Sequence, residues 1–99
     1  MSFDCREFTS RCPVTGQPDF ATLRIAYAPK RLLIETKSLK LFLWSFRERA
    51  AFNEGLVVEI ADRIFQQVSP EWVCVEGTFA ARGGISVSAV AKRQTALGR

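Results

Sequence analysis

Two residues in this chain have the types and spacing for covalent chemistry. Cys12 lies in a polar stretch between Arg11 and Pro13, and Asp19 follows seven residues later. A thiolate is a strong nucleophile, and an unperturbed thiol titrates at about 8.5. A carboxyl that keeps its proton can act as a general acid. Together they could add sulfur to an electrophilic carbon and protonate the atom that gains charge. Spacing alone leaves a second reading open, a loop thiol with a turn-capping Asp19. The chain has no histidine. That excludes Ser-His-Asp and Cys-His nucleophile pairs and every metal site that uses His. Acid–base work falls to carboxylates, thiols, lysines, tyrosine or water.

Three further stretches carry polar groups at element ends. Glu35-Thr36-Lys37-Ser38-Leu39-Lys40 sets an acid at a strand end and two lysines and hydroxyls at a helix start. A helix N-terminus beside a lysine can hold a phosphate, and it can equally be a capped, solvated end. Glu54 opens a second helix, where an acid usually complements the helix dipole. Arg82-Gly83-Gly84 reads as a hairpin turn whose arginine either faces solvent or grips a phosphate.

These groups must be positioned by one small domain spanning residues 1–99, of 11.1 kDa. Hydrophobic residues make up 47% and charged residues 24%, which suits a folded protein. The net charge of +4 is compatible with nucleic acid or a phosphorylated cofactor and selects neither. Lys92, Arg93 and Arg99 read as a solvated tail. Three cysteines cannot all pair within one chain, and no C-x-x-C occurs, so no metal site is expected. Free thiols and the lack of a long apolar run predict a soluble cytoplasmic protein with no membrane segment.

Residues 4–19 read as an ordered loop because of Pro13, Gly16 and Pro18. Thr22–Tyr27 alternates as a half-buried strand with Leu23, Ile25 and Tyr27 inward. Leu32-Leu33-Ile34 is a short apolar run that reads as a strand end or edge. A helix is predicted from Ser38 as N-cap, with Leu39, Phe42, Leu43 and Phe46 on one face. Leu41 and Trp44 lie off that face, which hints at an interface between copies. A second helix is predicted over 53–68, striped by Val57, Ile60, Ala61, Ile64 and Val68 and stopped by Ser69-Pro70. Strands follow from Trp72 to Phe79 and from Ile85 to Val90. The order predicts an α+β domain with helices on one face of an antiparallel sheet.

Glu7-Phe8-Thr9-Ser10-Arg11-Cys12-Pro13-Val14-Thr15-Gly16-Gln17-Pro18-Asp19-Phe20-Ala21, Glu35 to Leu41, Ser45-Phe46-Arg47 and Arg82-Gly83-Gly84-Ile85 occur in one order. Together they resemble the 7-cyano-7-deazaguanine reductases, the NADPH-dependent nitrile reductases of queuosine biosynthesis, in their short single-module form. The resemblance covers about residues 7–88. It implies the tunnelling fold, a ββααββ unit that assembles into homo-oligomeric rings with sites at subunit interfaces. GTP cyclohydrolase I shares that fold, but its Cys/His zinc site is excluded here by the absent histidines.

The resemblance also implies roles. Cys12 would add to the nitrile carbon as a thioimidate, and Asp19 would protonate the nitrogen. Glu35 and Glu54 would bind the deazapurine, aided by Asn53 and by the backbone around Ile34 and Thr36. Thr36, Lys37, Arg82 and Gly83 would hold NADPH. Two positions depart from the family. Asn53 stands where relatives place a histidine, and an amide cannot take up a proton near neutral pH. Only eleven residues precede Cys12, so the first strand is expected to be short or missing. Two other functions compete with nitrile reduction. An amidinotransferase would turn the same thioimidate into an amidine with ammonia and would not need the Lys37 and Arg82 grip. A non-catalytic tRNA-binding module would show salt-steep affinity, whereas the reductase needs no nucleic acid.

Overall fold

A computed structural model of the chain describes residues 1–82 and 84–95. Its order is β1 (Ser2–Arg11), β2 (Pro18–Ala28), α1 (Thr36–Trp44), α2 (Asn53–Val68), β3 (Trp72–Arg82) and β4 (Ile85–Gln94). The four strands form one antiparallel sheet in the order β1-β2-β3-β4. This is the α+β class expected from the residue pattern, in the ββααββ arrangement that the resemblance implies.

The core lies between one face of this sheet and both helices. Leu23, Ile25 and Tyr27 on β2 meet Val73, Val75 and Phe79 on β3, all buried. From the helices, Leu39, Leu43, Leu56, Val57, Ile60, Ala61 and Ile64 close over them. Each such aliphatic side chain contributes about 1.5–3 kcal/mol by leaving water. α2 lies against β3 and β4, and α1 against β1. Leu41 and Trp44 remain 57% and 56% exposed, as their off-face positions predicted.

Four expectations are corrected. Residues 4–19 are not mainly loop, and the first strand is neither short nor missing: β1 runs for ten residues. The ladder shifts between Cys5↔Leu23 and Phe8↔Ala21, so β1 carries one extra residue there. That bulge moves the inward face from Phe3 and Cys5 to Phe8 and Ser10, which hides the alternation. Next, Leu32-Leu33-Ile34 joins no strand; Ile34 N instead donates to the Tyr27 hydroxyl at 3.0 Å. α1 is capped by Glu35 rather than Ser38, because the longer carboxylate reaches the free N–H groups of Lys37 and Ser38. Finally, Lys92 and Arg93 are not tail. Both lie in β4, where Arg93 pairs with Asp62 and Lys92 sits over the Trp72 ring.

α2 has the predicted bounds. Ser69 ends it in the left-handed region at φ 48°, and Pro70 follows. At its crossing over β3, Gly77 allows the close approach. A Cβ there would lie 2.9 Å from Val57 Cγ2 and 3.0 Å from Phe79 Cε1. Gly77→Ala should therefore destabilise the fold by about 1–3 kcal/mol through overpacking. Urea unfolding checks this, and an unchanged midpoint would contradict the packing described.

Candidate active site

Cys12 follows the last residue of β1 and opens a tight turn. Its N–H donates to the Gln17 carbonyl at 2.9 Å, and its carbonyl accepts from Gly16 N at 2.9 Å. Gly16 closes the turn at φ 75°, where a side chain would be strained. The Thr15 hydroxyl is the largest cause lowering the Cys12 thiol pKa, followed by the backbone N–H groups of Thr15 and Val14. All three donate to the thiolate, while the charge of Asp19 opposes them. Gln17 N donates in turn to Thr15 Oγ1 at 3.3 Å.

Asp19 lies across the strand pair. The ladder pairs Ser10 with Asp19, and Asp19 is in phase with the inward residues Ala21 and Leu23. Both residues of the sequence-predicted catalytic pair therefore occupy one end of the sheet, with Asp19 on the helix face.

Arg11 ties this end to the segment between the helices. Its N–H donates to the Arg49 carbonyl at 2.9 Å, and its carbonyl accepts from Ala51 N at 3.2 Å. Its side chain donates to Glu48 Oε2 at 2.8 Å and to the Gly16 carbonyl at 2.9 Å. α2 starts two residues beyond Ala51, so Asn53 and Glu54 emerge at the Cys12 end. Phe52, their N-cap, makes no side-chain capping bond and is 67% exposed. Sequence reasoning passed over Phe52; an exposed aromatic beside two polar site residues was the available signal.

Ile34, Glu35, Thr36 and Lys37 lie elsewhere. They follow the far end of β2, and Ile34 is bonded to Tyr27. Asp19 to Tyr27 is eight residues of strand, or about 26 Å. One chain therefore does not bring Cys12 and Glu35 together. Glu35 Oε1 accepts from Ser38 N and Ser38 Oγ, and Oε2 accepts from Lys37 N at 2.7 Å. The Lys37 bond is the main cause holding its carboxyl below the usual carboxylate range. A carboxylate has about four acceptor positions, so one stays open on Oε2.

Two cavities lie against α1. One of about 250 Å³ is lined by Ile34, Glu35, Ser38, Phe42, Arg63 and Gln67. The other, about 570 Å³, lies between β1 and α1 and is lined by Arg6, Lys40 and Arg47 together with the carboxylates Asp4 and Glu7. Its cations could hold a phosphorylated cofactor. Arg6 lies in the register shift between Cys5 and Phe8 and lines this cavity, and no local sequence pattern singles it out. The Arg82 side chain and the whole of Gly83 lie outside the described residues. Among the described residues, no group of acidic, Cys or His side chains is placed to hold a metal, and no helix is long and apolar enough to cross a membrane.

The turn geometry predicts a reactivity order. Cys12 should be alkylated by iodoacetamide with a half-maximal pH below the ordinary thiol range. Thr15→Val should move that midpoint upward by removing the main donor to the thiolate. Cys5, whose pKa is raised by burial and then by Asp4, should react more slowly. Site-resolved peptide mass against pH measures all three, and identical midpoints for wild type and Thr15→Val would contradict the account.

Comparison with known proteins places these features in a family. The family model described as QueF-like protein matches residues 18–97. A protein from Anaeromyxobacter sp. (strain Fw109-5), named NADPH-dependent 7-cyano-7-deazaguanine reductase, is 50% identical over 93% of this chain and 75% of its own length. A protein of the same name from Chelativorans sp. (strain BNC1) is 55% identical over 88% of this chain and 57% of its own length. The crystal structure of the archaeosine synthase QueF-Like in the apo form matches with a TM-score of 0.87 at 24% identity. It covers 93% of this chain and 90% of that one, a likeness of fold. On the family model and the sequence identities, the chain belongs to the QueF-like protein family.

Proposed function

We propose that this chain reduces the nitrile of 7-cyano-7-deazaguanine to the aminomethyl group with NADPH, as a step of queuosine biosynthesis. The observation that carries the reading is the Cys12 turn. It holds a thiol biased toward thiolate at the strand end that Asp19 shares, in a chain half identical to a reductase of that name.

Sulfur of Cys12 attacks the nitrile carbon while one C–N π pair moves to nitrogen. Asp19, having taken the proton that the Cys12 thiol loses, gives it to that nitrogen, leaving a thioimidate on Cys12 and a carboxylate on Asp19. NADPH, one molecule for each of two hydrides, would supply the reducing equivalents that carry the carbon to the amine, with the thiol leaving between the two. Glu54 accepts from the ring N–H and exocyclic amine of the deazapurine. Glu35 adds the acceptor position its cap leaves open, and Ile34 and Thr36 offer backbone groups. Asn53 donates a hydrogen bond but moves no proton. Thr36 and Lys37, with Arg6, Lys40 and Arg47 of the larger groove, suit the charged phosphates of NADPH. Arg82 and Gly83 complete that grip in this reading.

The strand length that separates Cys12 from Glu35 supports a site in which a second copy of the chain supplies one of them. In this reading the working protein is a homo-oligomer with sites between subunits. A cytoplasmic location agrees with the three free thiols.

With 7-cyano-7-deazaguanine and NADPH, the protein should oxidise the cofactor and form the amine, and Cys12→Ala should do neither. Absorbance of NADPH and product mass read this out. Wild-type protein that leaves NADPH untouched, an undiminished Cys12→Ala rate, or amidine formed from ammonia without NADPH would contradict the reading.

A further inference from the structure

Ser10 is fully buried, at 0% exposure, and carries the one buried side-chain oxygen or nitrogen without a partner among the described residues. Its Oγ has no hydrogen-bond partner. An unpaired buried hydroxyl costs free energy that an alanine would not. Such a group in a folded protein calls for an explanation, and a role in the reacting state is one.

Its location supplies that role. Ser10 sits two residues before Cys12 and directly opposite Asp19 in the β1–β2 ladder. Directly opposite residues on one sheet face have Cβ atoms about 4.5–5.5 Å apart. Both share the helix face, since Ser10 is in phase with Phe8 and Asp19 with Ala21. The backbone bonds of Arg11 to Arg49 and Ala51 lay the interhelix segment beside this strand end.

Building on the nitrile-reductase reading, we propose that Ser10 is a positioning residue for proton delivery, its hydroxyl donating to the Asp19 carboxylate as that carboxylate forms. The electron count is closed. The thiolate pair of Cys12 forms the S–C bond, and one C–N π pair moves onto nitrogen. Nitrogen takes the Asp19 proton, so the negative charge that began on sulfur ends on the carboxylate. Rotation about the Cα–Cβ bond of Ser10 swings its hydroxyl across the gap. A donor held away from water and within reach of a developing charge favours the reacting state over the resting one.

The test compares wild type with Ser10→Ala, mixed with saturating 7-cyano-7-deazaguanine and no NADPH. Three quantities are read: the rate of the covalent mass shift, the rate of Cys12 alkylation by iodoacetamide, and the thermal midpoint. Ser10→Ala should form the adduct roughly ten- to a hundredfold more slowly, the range for one hydrogen bond to a charged group. Its nitrile affinity and alkylation rate should match wild type, and its thermal midpoint should be equal or higher. Adduct formation at the wild-type rate overturns the role of Ser10. So does a lowered midpoint, slowed alkylation or failure to fold, because each marks a structural hydroxyl. A wild-type chain that forms no adduct overturns the nitrile reading itself, a separate and recognisable outcome.

Discussion

Arg11 ends β1 with its backbone and its side chain both committed to other segments. Two main-chain bonds join it to Arg49 and Ala51, and its guanidinium bridges Glu48 and the Gly16 carbonyl. The ion pair is exposed and by itself adds about 0–1 kcal/mol at most. The backbone bonds matter more, because they continue the sheet's hydrogen bonding into the interhelix segment. Through this junction the Cys12 turn is closed on one side and the start of α2 is set on the other. Thiol, Asp19, Asn53 and Glu54 gather at one end because one residue holds three segments together.

The same sheet that positions this end removes it from the other. β2 carries Asp19 at its start and Tyr27 near its finish. Tyr27 anchors Ile34 through its hydroxyl, and Glu35 follows to cap α1. A strand of this length cannot be folded back without breaking the ladder that buries Leu23, Ile25 and Tyr27. The two halves of the proposed site are therefore held apart by the core itself, and the proposed reading joins them between copies of the chain. Each half is pre-organised within one chain: Thr15 and the turn N–H groups lower the thiol pKa, and the Lys37 N–H and Ser38 hydroxyl lower that of Glu35.

Much of the fold was legible from residue pattern. α2 was readable to its ends because its apolar period is clean and Ser69-Pro70 forbids continuation. The inward face of β2 was readable from strict alternation. β1 was not, because one extra residue at the bulge reverses its phase midway. The Glu35 cap was hidden because Ser38 is the commoner capping type. At the site, Cys12 and Asp19 stood out by chemistry, and the Glu35–Lys40 stretch by composition. The pairing of Ser10 with Asp19 and the separation of Glu35 from Cys12 are consequences of register and strand length, which no local pattern expresses. Arg11 looked like a neighbour of the thiol; its partners lie in a segment distant in sequence.

The claim that the core divides one site between copies is tested most directly by complementation. Cys12→Ala and Glu35→Gln, the latter keeping an acceptor oxygen for the α1 cap, are each assayed alone and then co-assembled in equal amounts. The account predicts two crippled variants whose mixed assembly regains roughly a quarter of the wild-type rate, from interfaces where an intact Cys12 meets an intact Glu35. A mixed assembly no more active than the sum of its parts would contradict it.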